Sequence, residues 1–209
     1  MLQELTYGRG SYGNELELSL MLRRSLLLAS KSSLRVFSSH DDFPEELVQC
    51  SELREVTVPA SDKLGLLQQL AKLAVLTVQC SKLGDVKLLS QYLDQGRIPQ
   101  RVRVELTHRV ALGEFPRLAR SFHSVKVMIM RGDGSISEAD VISCLRLMPA
   151  LEEVGLPWVL DMKTVVREFA PAMVPRLRKL ILPWQSRHVP GEQDWRDTLR
   201  ALRPHIEIE

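Results

Sequence analysis

The sequence predicts an α/β solenoid, a stack of short parallel strands alternating with helices, and three observations predict it. The phrase LPW occurs twice in one context, in MPALEEVGLPW and in VPRLRKLILPW, the second copy 26 residues after the first. A spacing Leu-x-x-Φ-x-Φ, with Φ aliphatic, recurs along most of the chain. Segments of helical periodicity fall between the recurrences.

Taken in order, residues 1–33 read as a capping element. Leu16, Leu18, Leu20, Leu22 and Leu26 to Leu28 predict a helix from about Asn14 to Ala29 that covers the open end of the first strand. The glycines of YGRGSYG, residues 7–13, read as a mobile loop ahead of it. Residues 34–209 read as the solenoid, sharing one continuous core with the cap.

Its strands are marked by SLRVFSS near Leu34, then Leu53/Val56/Val58, Leu73/Leu76/Val78, Leu151/Val154/Leu156 and Leu177/Leu180/Leu182. Val102/Val104/Leu106 and Val125/Val127/Ile129 are less regular members, and Ile206 and Ile208 of HIEIE are the last. Alternation over so few residues marks a strand with one buried face. The strand centres imply irregular repeats of about 20–29 residues.

Helical patterns join them. Phe43, Leu47 and Val48 share a side in DFPEELVQC, as do Leu64, Leu67 and Leu70 in DKLGLLQQLAKL. DVKLLSQYLDQG ends at Gly96. SEADVISCLRLMP opens with a capping signature, Ser137 through Asp140, and stops before Pro149. DMKTVVREFAPAM takes Asp161 as its cap, and DWRDTLRALRP closes the series. No unit can bury its apolar face alone; stacking gives all of them one core.

These units resemble leucine-rich repeats of the helix-bearing kind, as in ribonuclease-inhibitor-like proteins and the substrate-binding part of F-box leucine-rich proteins. The resemblance covers roughly residues 34–208. It implies strands lining a concave face and helices lining the outer one. Where that family usually places a turn-tying asparagine or cysteine, this chain has Ser61, Ser81, Val159 and Gln185. Serine can serve in part and valine cannot, which implies an irregular solenoid. An ordinary doubly wound α/β domain would show a similar rhythm; the repeated phrase and the short strands favour stacked repeats.

Bulk composition fits one sizeable core. The chain has 209 residues, 44% of them hydrophobic, and 28 basic against 26 acidic residues. That near balance argues against a dedicated nucleic-acid surface. Three cysteines without a CxxC pair, Cys50, Cys80 and Cys144, read as reduced thiols. With no export signal and no long apolar run, the expected location is cytoplasmic or nuclear.

Signatures of catalysis are not apparent, and the chain reads as a non-enzyme with no cofactor and no metal. Its five histidines lack zinc spacing. His40 beside Asp41 and Asp42 reads as a polar turn. RGDGSISEAD echoes half of a calcium loop but has Ile129 and Arg131 where oxygen ligands are needed. It reads instead as a turn feeding a helix.

A protein partner is the leading expectation. Side chains between the core aliphatics would face the concave surface. Those expected to carry binding there or on its rim are Arg103, Glu105, Lys126, Met128, Met130, Glu153, Trp158, Lys179, Ile181 and Trp184. Met128, Met130 and Ile181 would form an exposed apolar patch, a usual mark of a contact site. Pro157 and Pro183 end their strands, so the two tryptophans would stand one repeat apart on the same rim.

The alternatives are the substrate receptor of a ubiquitin ligase, an enzyme whose site is assembled across repeats, and a nucleic-acid surface built on Arg101, Arg103, Arg109, Arg117 and Arg120. With repeats beginning near residue 34, the adaptor-binding helices of a ligase receptor would have to lie elsewhere. A membrane and a small molecule are not expected partners.

Overall fold

The computed structural model describes residues 2–7, 15–107, 119–131, 137–157, 161–182 and 192–209. Nine strands form one all-parallel sheet in strict chain order. They are β1 Glu4–Tyr7, β2 Val36–Ser39, β3 Glu55–Pro59, β4 Val75–Cys80, β5 Arg101–Leu106, β6 Val127–Met130, β7 Glu153–Gly155, β8 Lys179–Ile181 and β9 Glu207–Ile208. Each strand pairs with the next, so the fold is a repetitive α/β solenoid.

The helices are α1 Glu15–Ser30, α2 Leu83–Asp94, α3 Glu138–Arg146, α4 Met162–Arg167 and α5 Glu192–Leu202. Among the described residues, 3-10 segments lie at Glu45–Gln49, Asp62–Gln69 and Ala119–Ser124. In the two shortest connectors, β2–β3 and β3–β4, length favours the 3-10 form. Paired residues are 19 apart from Val36 to Glu55 and 20 apart from Glu55 to Val75. They are 26 apart from Val75 to Arg101 and from Val127 to Glu153. A 3-10 turn rises about 2.0 Å per residue against 1.5 Å in an α-helix, so it returns to the sheet with fewer residues.

All nine strands obey one spacing, more regular than the irregular repeats expected from the sequence. The leading positions are Leu2, Leu34, Leu53, Leu73, Pro99, Val125, Leu151, Leu177 and Arg203. From Leu73 onward each lies 26 residues after the one before. All except Leu2 are buried. The strand β1 was not anticipated, yet Leu2-x-x-Leu5-x-Tyr7 carries the same spacing. Tyr7 packs edge-on against Phe37 of β2, with ring centres 5.6 Å apart.

The backbone repeats as well. The Arg35 carbonyl accepts the Arg54 and Glu55 N–H groups, at 2.9 and 3.0 Å. The Arg54 carbonyl accepts those of Ala74 and Val75, and the Lys126 carbonyl those of Glu152 and Glu153. The Glu152 carbonyl accepts those of Arg178 and Lys179. The strands β3, β4, β7 and β8 are thus each entered through one forked bond, which satisfies two donors per unit.

The strand β6 corrects a sequence expectation. Met128 pairs with Val104 and Met130 with Leu106, and both methionines are 1% exposed in the core. Val127 and Ile129 take the opposite face, across from Arg103 and Glu105. In VKVMIM both alternations are largely apolar, so alternation does not choose a face. The leading Val125 does choose: its third and fifth successors are Met128 and Met130.

Helix starts follow local chemistry. The Asp85 carboxylate accepts from the Ser81 and Lys82 N–H groups and from the Ser81 hydroxyl. It ties down the turn that the resemblance assigned to the residue at Ser81. The equivalent Ser61 hydroxyl is buried without a partner among the described residues. Ser137 accepts from the Asp140 N–H at 3.1 Å, and Asp161 from the Lys163 N–H at 3.0 Å, so both caps form as read.

At the far end, the leading position of the last unit is a buried arginine. Arg203 donates from Nε to the Phe169 carbonyl at 2.5 Å and from Nη1 to the Leu177 carbonyl at 2.9 Å. Its Nη2 donates to the carbonyls of Ala170 and Val174. Burial lowers its pKa from the ordinary arginine value. The guanidinium fastens the chain between α4 and β8.

Candidate binding face

The core contains alternate strand residues together with inward helix residues, so helices cover one side of the sheet. The other side presents its side chains in rows fixed by register. One row runs Thr6, Ser38, Thr57, Thr77, Arg103, Val127, Glu153, Lys179, Glu207. A second runs Pro59, Gln79, Glu105, Ile129, Gly155, Ile181. The face is therefore hydroxyl-rich over β1–β4 and charged over β5–β9.

Its charges are held by one another. Arg101 Nη2 lies 2.7 Å from Glu153 Oε1. That bridge passes from β5 to β7 over β6, and Val127 between them is fully buried. Arg103 Nη2 lies 2.9 Å from Glu105 Oε1 on its own strand. Just before the strands, Glu152 stands between Lys126 at 3.4 Å and Arg178 at 2.9 Å. Arg178 also reaches Glu153 at 4.0 Å. Lys179 meets Glu207 at 3.2 Å and Glu209 at 2.5 Å, and the bonds to Glu209 and then Glu207 raise its pKa. Glu153 and Glu105 keep only 15% and 14% of their side-chain surface exposed, so these pairs are partly desolvated and geometrically defined.

The structure places the expected residues unevenly. Arg103, Glu105, Glu153, Lys179 and Ile181 stand on the open face, half-buried. Lys126 sits at the strand entrance, on the rim. Met128 and Met130 belong to the core, so the anticipated apolar patch is absent from this face. Val127 and Ile129 replace them without restoring it, at 0% and 6% exposure. A Cβ built on Gly155 would lie 2.9 Å from Ile129 Cδ1, so Ile129 packs over the space that the glycine leaves free. Trp158 and Trp184, with the turn positions Val159 and Gln185, lie outside the described residues.

The network brings in Arg101, Glu152 and Arg178, which were not expected at a binding face as protein contacts. A signal for two of them was present. Lys126, Glu152 and Arg178 are each 26 residues apart, a column of alternating sign. Of the arginines considered for nucleic acid, Arg101 and Arg103 are engaged by carboxylates. Arg109 and Arg117 lie outside the described residues, as do residues 132–136 of the calcium-like segment.

Chemistry elsewhere is sparse. All three cysteines are buried and free; desolvation raises each thiol, that of Cys144 to about 12. Described histidines 40, 123 and 205 are exposed and stand on no strand. Among the described residues, no group of three His, Cys, Asp or Glu could hold a metal ion, and no helix is long and apolar enough to cross a membrane. No family model matches the chain, and no curated protein matches it.

Proposed function

We propose that this chain is a leucine-rich-repeat-type module that binds a protein partner across its open sheet face. The observation that carries the reading is the face itself. Nine strands in register present rows of side chains, and over β5–β9 the charged ones are already fixed by ion pairs. A surface so ordered loses little entropy on binding, and its mixed charge selects a partner of matching pattern. Arg103, Glu105, Lys179 and Ile181 are the contacts best placed to be read, with Lys126 on the rim. The substrate-receptor part of a ubiquitin ligase, acting in cytoplasm or nucleus, is one assignment compatible with this surface.

The test is affinity capture from lysate, comparing the protein with an Arg103→Glu, Lys179→Glu variant. Arg103 and Lys179 keep 35% and 21% of their side-chain surface exposed, and circular dichroism checks that the variant keeps its fold. Captured partners disappear if the face binds them. An unchanged set of partners sinks the reading. Charge placed at Met128 would probe folding instead, since that side chain lies in the core.

A further inference from the structure

We infer that the edge of the sheet where the strands begin is a docking site for an acidic, extended polypeptide segment of a partner protein, a surface separate from the open face. All nine strands are parallel, so every connector that runs into a strand reaches this same edge. Along it Arg35, Arg54, Lys72, Arg97, Arg176 and Arg178 are exposed, with Lys31 beside them just after α1. Three carboxylates stand among them, Glu52, Glu152 and Glu168, and all three are half-buried. Among the described residues, no connector carries an exposed carboxylate where it enters a strand. The exposed Glu55, next to Arg54, opens β3 on the open face.

The edge is layered, with each acid beneath a cation. Lys72 lies 2.5 Å from Glu52, with 51% of its side-chain surface exposed against 33% for the acid. Arg178 lies 2.9 Å from Glu152, at 61% against 18%. Arg146, which ends α3, lies 2.8 Å from Glu168, at 53% against 30%. The bond from Lys72 holds the Glu52 carboxyl below its ordinary pKa, and Arg54 and then Arg35 add to this at longer range. The acids thus anchor the layer, and the bases form its outer surface. Arg35, Arg54, Arg97 and Arg176 make no ion pair among the described residues. Arg35 and Arg54 stand directly before β2 and β3, and neighbouring strands are about 4.8 Å apart. Like charges so placed repel, and an anion laid across them relieves the repulsion. A helix dipole favours cations at helix ends such as Arg146. It does not account for Arg35 and Arg54, each five residues beyond the last helical segment, which ends at Ser30 or Gln49.

The chemistry selects the occupant. All of the exposed cations before the strands except Lys72 and Lys31 are arginines, whose forked donors take a carboxylate through two parallel bonds. The described connectors carry no tyrosine or tryptophan at this edge, and Phe169 is fully buried, so the bases of a nucleic acid have nothing to stack on. From β2 to β8 the edge spans about 29 Å, which an extended chain covers in about nine residues.

Fluorescence anisotropy of a labelled peptide of about nine glutamates, titrated with the full chain, tests this. Binding is expected with a Kd below about 100 μM at about 50 mM salt, weakening about tenfold or more at about 300 mM. Arg35→Glu with Arg54→Glu and Arg176→Glu should weaken it about tenfold or more. These side chains make no ion pair, so thermal unfolding of the variant should match that of the parent. The open-face variant, Arg103→Glu with Lys179→Glu, should keep peptide affinity within about threefold, so this reading and the open-face reading fail separately. No binding at about 100 μM overturns the proposal. So does an affinity that salt leaves unchanged, which is read on the parent alone, or one that the edge variant leaves unchanged. Tighter binding of a single-stranded oligonucleotide of equal charge also overturns it, because the edge then selects nucleic acid.

Discussion

Replacing Arg203 with methionine keeps the length and apolar stem of the side chain and removes every donor. Four carbonyls then lose the guanidinium; those of Ala170 and Val174 keep the Met173 and Leu177 N–H groups, and those of Phe169 and Leu177 are left without a donor. A buried acceptor left unpaired costs about 1–3 kcal/mol. Against that stands the release of a buried cation, which is worth several kcal/mol and offsets part of the loss. Water can also reach the Ala170 carbonyl, whose bond is long at 3.4 Å. The net expectation is a loss of about 2–4 kcal/mol, a large part of the roughly 5–15 kcal/mol that holds a typical domain folded.

Urea unfolding followed by circular dichroism reads this directly. With a slope near 3 kcal/mol per molar urea, the midpoint falls by about 1 M. Arg203→Lys, which retains a charge and some donors but not the planar fork, should fall between. Because each repeat contacts only its neighbours, the damage should be local. Hydrogen exchange should accelerate at the Lys179, Glu207 and Glu209 amides and stay slow in β3 and β4. A methionine variant whose midpoint lies within about 0.2 M of the parent refutes the assigned role.

Two further outcomes follow from the sheet and from the N-terminal unit. Gly155→Ala puts a Cβ 2.9 Å from Ile129 Cδ1, the end of that side chain, and should cost about 0.5–1.5 kcal/mol in thermal or urea unfolding as the isoleucine shifts off its rotamer. Adding Ile129→Ala should recover part of that loss, and a Gly155→Ala variant that gains stability contradicts the packing described. The bond from Arg24 lowers the Glu46 pKa below its ordinary 4.5. The stability this contributes is complete above pH 4.5 and is lost as pH falls through the lower, folded-state value. Glu46→Gln should therefore flatten the acid arm of a stability–pH curve, and an unchanged acid slope means that the pair does not matter.

Most of the strand pattern was legible because a solenoid writes its core into the sequence unit by unit. Leu53/Val56/Val58 and Leu151/Val154/Leu156 show a leading residue, a gap and two alternating aliphatics, and both are core as read. The helix caps at Ser137 and Asp161 were equally plain, since each depends on residues three or fewer positions away. The short connectors were harder. DKLGLLQQLAKL has a helical apolar pattern, yet the 20 residues between paired strand positions leave room only for a 3-10 segment. Apolar periodicity alone does not separate these two helix types.

The three departures in the strands share one cause. The eye follows residue type, whereas the fold follows position. Tyr7 replaces an aliphatic in β1, and so Leu2-x-x-Leu5-x-Tyr7 passes as part of the cap and not as a strand. In β6 the wrong alternation is the more familiar one, because valine and isoleucine look like core and methionine does not. In the last unit the leading residue is Arg203, whose charge hides a buried position. A spacing carried forward without regard to chemistry reaches all three, since Leu73, Pro99, Val125, Leu151, Leu177 and Arg203 are equally spaced.

The binding face behaves differently, because its geometry depends on contacts between units. The column Lys126, Glu152, Arg178 can be read from the 26-residue period. The bridge from Arg101 to Glu153 skips a strand, and no local pattern announces it. The same bridge buries Val127, so a valine on the solvent side of the sheet adds to packing without offering apolar surface. An apolar residue at an outward position is thus weak evidence for a contact site until its charged neighbours are placed. Among the described residues the exposed large apolar side chains lie on α1 and at Leu2, with Met21 and Leu22 the most exposed, and not on the sheet face, where Met128 and Met130 point into the core.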